Sequence, residues 1–201
     1  GLLQAISAAE GADCFTLNVD GNVNIDNMGA YIDLSGLTIN MIGEGPAAFT
    51  VGGNFSFTAG AITTGDDVTA LTVNNTLAGD FTLPGGSPAL GLGAATTAMT
   101  LNAANAGSTM TFGTAGNAEN PGFSAAGLTT LTVTGNGNVD LGQLADVGDN
   151  FTLKAAGANG TVSAEMVENP PAGATLVFTG VNLTINEGVT FADDAALTLG
   201  A

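Results

Sequence analysis

The chain has 201 residues, 45% of them hydrophobic, and a formal net charge of -17 from eighteen acids and a single base, Lys154. That apolar content supports a folded core and argues against intrinsic disorder. The absence of Arg and His excludes Ser-His-Asp and Cys-His nucleophiles, His-based metal sites and phosphate-reading basic patches, so no nucleic acid is expected as partner.

Leu2, Leu3, Ile6 and Ala9 follow the spacing of one helical face and Gly11 is a natural stop, which predicts a short helix or assembly arm over 1–14. Cys14 is alone, so no internal disulfide can form; a buried thiol or a link to another chain is expected there. The start at Gly1 and the end within the strand-like run 197–199 suggest a processed chain or a piece of a longer one. No stretch is apolar for long enough to cross a bilayer as a helix, and membrane insertion is not expected.

From Phe15 onward the triplet apolar-Thr-apolar recurs twelve times, beginning at Phe15, Leu37, Phe49, Leu71, Phe81, Met99, Met110, Leu131, Phe151, Leu183, Val189 and Leu197. Chance would supply about two, so the pattern is a period-2 signal. Successive strand side chains point to opposite faces, which sends the apolar residues to a core and the Thr outward. Asp20-Gly21, Gly52-Gly53, Gly85-Gly86, Asn136-Gly137, Asn159-Gly160 and Asn169-Pro170-Pro171 mark turns.

The triplet spacings cluster near ten to twelve and near twenty residues. They lapse after Pro84 and again near Pro170, which predicts a single β-rich domain over 15–201 with an irregular insert over 84–127. The expected fold is all-β, a parallel β-solenoid-like stack of short strands behind the N-terminal arm. A β-sandwich is the alternative. The best internal match sets FTLNVDGNVNID (15–26) beside LTVTGNGNVDLG (131–142), each a strand, a Gly-Asn turn and a second strand.

Metal binding by hard oxygen ligands is the chemistry the composition best supports. Asp20, Asn22, Asn24 and Asp26 alternate, so an extended segment would align four oxygen-bearing side chains, while Ile25 and the absence of a closing Glu exclude an EF-hand. Asp66-Asp67, Asp146 with Asp149, and Asp193-Asp194 are further loop carboxylate clusters. Weak calcium binding is expected at these ten positions, set against solvated turn acids. Without His, Trp or Arg a carbohydrate-active enzyme is a remote alternative, as is ice binding by the Thr row. Sequons fall at Asn54, Asn74, Asn150, Asn159 and Asn182.

The phrases VTALTVNNTLAGDFTL (68–83) and LTTLTVTGNGNVDLGQL (128–144) resemble the low-charge, Thr/Asn/Gly/Ala-rich strand repeats of bacterial surface-layer proteins and related secreted β-solenoid proteins. The resemblance implies an exported, self-assembling structural subunit at the cell surface, often calcium-stabilised, although the tandem glycine-rich calcium nonapeptide is absent here. The expectation is therefore a noncatalytic extracellular subunit of a surface layer or filament. It would pair with its own copies through strand edges or terminal segments and depend on cations for screening. An adhesin-like module that recognises a glycan or a surface is the alternative.

Overall fold

The computed structural model describes residues 15–25, 32–84, 88–113, 122–192 and 194–201. Every strand pair in it is parallel, and no helix occurs among the described residues. The predicted N-terminal helix, Cys14, Asp26 and Asp193 lie outside them.

The chain alternates between two sheets. The more regular, sheet B, holds β2 (Val23–Ile25), β4 (Gly45–Gly53), β6 (Val68–Leu77), β9 (Ala98–Ala103), β12 (Thr130–Gly135), β14 (Asn150–Ala155), β16 (Thr175–Thr179) and β18 (Ala196–Gly200) in that spatial order. Opposite it, sheet A holds β1 (Phe15–Val19), β3 (Ile32–Met41), β5 (Phe57–Thr64), β7 (Phe81–Leu83), β8 (Leu90–Gly91), β10 (Thr109–Phe112), β11 (Phe123–Ala125), β13 (Asn138–Val147), β15 (Val162–Met166) and β17 (Asn182–Ile185). One visit to each sheet makes a rung, and the rungs stack as a β-solenoid of about seven turns. Parallel pairing throughout excludes the antiparallel sandwich.

Eleven of the twelve triplets lie on strands; Val189-Thr190-Phe191 is a loop. Several stack triplet on triplet, with Leu71-Thr72-Val73 beside Met99-Thr100-Leu101 and that beside Leu131-Thr132-Val133. Their apolar members are buried and each Thr is turned out, as the period-2 pattern requires.

Sheet A and sheet B meet through aromatic contacts. Phe49 of β4 lies 5.9 Å from Phe57 and 6.3 Å from Phe81, and Phe57, Phe81 and Phe112 form a column at 5.6 and 6.0 Å. Phe57 and Phe81 are register partners in successive rungs, and Phe112, in register with Leu83, reaches Phe81 from the adjoining core position, so neighbouring rungs stabilise each other.

Buried polar side chains pin the corners. Thr96 Oγ1 donates to the Val68 carbonyl at 2.7 Å, so the Thr64 hydroxyl, 2.8 Å away, donates to Thr96 while accepting from the Gly93 amide. At the opposite corner Asn75 Oδ1 accepts from the Leu77 amide at 3.0 Å and its Nδ2 donates to Ser108 Oγ at 3.4 Å. Both devices join successive rungs where no strand ladder can.

Register offsets run from 19 residues, Ser163 to Asn182, to 33, Leu90 to Phe123. Offsets of 28 residues or more link β5 to β8, β6 to β9, β7 to β10, β8 to β11, β9 to β12 and β10 to β13, a stretch wider than 84–127 in which the sheet A strand is broken into β7 and β8 and again into β10 and β11. Within that same stretch β9 keeps unbroken register with β6 and β12, so the irregularity belongs to one sheet only.

Candidate functional site

Asp20 is exposed at the turn that follows β1, and Gly21, at a φ of +87°, bends the chain away before Asn22. The described part of this segment, Asp20 to Asn24, is thus folded around a corner and is not one extended run. Asn22 Oδ1 accepts from the Ala48 amide at 2.9 Å, which ties the corner to the next rung, and Asn24 lies exposed beside Thr50. Asp66 and Asp67 are exposed in the turn between β5 and β6, and Asp194 is exposed before β18. No three Asp, Glu or Cys side chains come together in metal-binding geometry among the described residues.

Asp146 and Asp149 have a different setting. They border a cleft of about 270 Å³ with a floor of Leu144, Met166 and Leu176 and a rim that includes Glu168, Asn169, Pro170 and Pro171. The cleft forms because β13 ends in an irregularity: its register with β11 shifts between Ser124 and Ala125, opposite Ala145 and Val147. Asp146 sits at that shift with a φ of +50°, in the left-handed region. Such a backbone costs roughly 1–3 kcal/mol in a residue with a Cβ.

The surroundings hold it there. The Asp146 amide donates to Glu168 Oε2 at 3.0 Å, and Asp146 Oδ2 accepts from Ser124 Oγ at 3.3 Å. Glu168 follows β15 and was not singled out in the sequence, because it lies 22 residues from Asp146 and only the rung repeat makes them neighbours. The Asp149 carbonyl accepts from the Thr175 amide at 2.7 Å, which closes the far side of the cleft. With an apolar floor and a carboxylate rim, the cleft could seat one ring-sized neutral or cationic molecule, just below the usual range for small-molecule pockets.

A second feature lies at the end of the stack. In β15 and β16, Met166 is 4% and Phe178 1% exposed; one rung further, Ile185 is 41% and Leu199 64% exposed. The same inward positions are occupied, but nothing among the described residues covers them. The outer edges of β17 and β18 also have no strand partner there.

No known protein family, curated protein or solved structure matches the chain. The fold defines it as a parallel β-solenoid with a small acidic cleft and, among the described residues, an uncovered rung at β17 and β18.

Proposed function

We propose that this protein is a noncatalytic structural subunit of a self-assembling extracellular structure, a surface layer or filament, which grows by adding β rungs at its open end. The observation that supports this most directly is the parallel ladder of sheet B, a stack of like rungs able to pair with another at its edge; among the described residues the edges of β17 and β18 are unpaired beside the exposed Ile185 and Leu199. A parallel edge with apolar side chains in core positions is a template for one more parallel rung, here supplied by another copy. Such a contact is head-to-tail and does not close, so it propagates. Cations screen the seventeen net negative charges that each added copy brings.

Electron microscopy and sedimentation of the protein at seawater-like salt with calcium test this reading. Filaments or sheets are expected, and Leu199→Lys, which places a charge on the open rung, should abolish them. Dispersed monomers under every salt and calcium condition would overturn the proposal.

The cleft at Asp146 favours a second reading, an adhesin-like module that holds a glycan or other small ligand. A ligand that raises the melting temperature of the wild type but not of a Leu144→Trp variant with a filled cleft would favour it.

A further inference from the structure

None of the described carboxylates lies on a strand of sheet B, although its eight strands run along the whole described stack. Strands of sheet A carry Asp33, Asp140, Asp146 and Glu165, and the other described acids fall outside the strands of both sheets. Apart from Lys154, the outward residues of sheet B are neutral and mostly small. Ala70, Ala98 and Thr130 form one row, and Thr72, Thr100 and Thr132 the next. The only lysine, Lys154, continues the second row and is exposed.

This face is also the most regular surface of the molecule. From β6 to β18 successive strands pair without any register shift, so the outward rows run straight across six strands. Side-chain ladders stiffen it: Asn74 Nδ2 donates to Thr50 Oγ1 at 3.2 Å, and Thr134 Oγ1 to Asn102 Oδ1 at 3.4 Å.

A neutral ligand gives no reason to exclude carboxylates, since they hydrogen-bond sugars and water well. A polyanionic partner does, and this chain is itself a polyanion. We infer that the outer face of sheet B packs back to back on the same face of a second copy. The inference rests on the self-assembly reading above and adds a lateral contact to the end-to-end one.

In an isologous contact every charge on the face is duplicated across the two-fold axis, so a carboxylate near the axis would meet its own image and one further out would still add to the repulsion between two polyanions. Lys154 escapes this penalty because β14 is sixth of the eight strands. With the axis at the centre of the sheet, the two lysines stand about three strand spacings apart, roughly 14 Å, beyond a Debye length at physiological salt. Eight strands of about six residues give a face of roughly 770 Å² per copy, close to the roughly 800 Å² typical of a specific complex. Repetition along a filament would multiply such a contact.

The test measures dimer formation by sedimentation velocity and filament width by electron microscopy, for the wild type, Thr100→Asp/Thr132→Asp and Lys154→Glu. A wild-type dimer that also forms when Leu199→Lys blocks end growth is expected. The double Asp variant should weaken it at least tenfold and leave filaments one solenoid wide; Lys154→Glu, at an exposed position that does not threaten folding, should weaken it less. Single-width wild-type filaments with no lateral dimer would overturn the inference while leaving the self-assembly reading intact. Undiminished dimers in both charge variants would overturn it as well, and so would a monomer whose face binds particulate neutral polysaccharide instead. Absence of both filaments and dimers would remove the two proposals together.

Discussion

Sheet A and sheet B are built by the same rungs, yet they differ in almost every respect that bears on function. Sheet B is continuous, with one register shift, at Gly45 and Pro46, and no carboxylate on its strands. Sheet A is broken at two rungs, shifts register at β3–β5, β11–β13 and β13–β15, and carries the left-handed Asp146. It also buries Gln143, 4% exposed, whose Oε1 has no hydrogen-bond partner among the described residues. Since both sheets share one core, the difference shows that rung stacking needs only one regular ladder. The other can absorb insertions and bulges, and here it contributes the irregular strand end that opens the cleft.

The largest expected effect comes from cutting the tie between the sheets. Phe81→Ala removes a fully buried ring that touches Phe49, Phe57 and Phe112, and should destabilise the fold by about 3–5 kcal/mol in denaturant titration. A loss below about 1 kcal/mol would mean that the sheets do not depend on this column. Next comes a strand end of sheet B. Gly135 has a φ of +100°, and a Cβ there would collide with the Ala103 carbonyl, so Gly135→Ala should cost about 2 kcal/mol or more. Tolerance of this change would show that sheet B is as forgiving as sheet A.

Lowering salt from about 0.1 M to 0.01 M lengthens the Debye screening from about 10 to 30 Å. With seventeen net charges of one sign, the melting temperature should fall by several degrees, and calorimetry in chelator would check it. The smallest effect belongs to sheet A. Asp146→Gly relieves the left-handed backbone but loses the exposed Ser124 contact, so a net stabilisation of about 0.5 kcal/mol is expected. A marked destabilisation would instead make Asp146 a structural requirement of the cleft.

The alternation of Thr with apolar residues made the strands legible, because a period of two is a local property of a half-buried strand. The rung count was less so. FTLNVDGNVNID and LTVTGNGNVDLG look alike, but β1 begins the first on sheet A and β12 begins the second on sheet B. Both turns round a corner between sheets, and the two corners need the same turn chemistry, so pattern alone could not assign the sheet. The Asp146–Asp149 pair was visible as a cluster, whereas Glu168 and the apolar floor were not, since they arrive from later rungs.

Composition and periodicity by themselves determined an acidic, all-β chain of short strands with Thr outward and no His- or Arg-based chemistry, because these follow from residue identity and from neighbours along the chain. Only the tertiary structure decided which carboxylates share a cleft and that the strands of sheet B carry none of the described acids. Those depend on register between residues 19 to 33 positions apart, and register is set by how the rungs pack, not by any local preference.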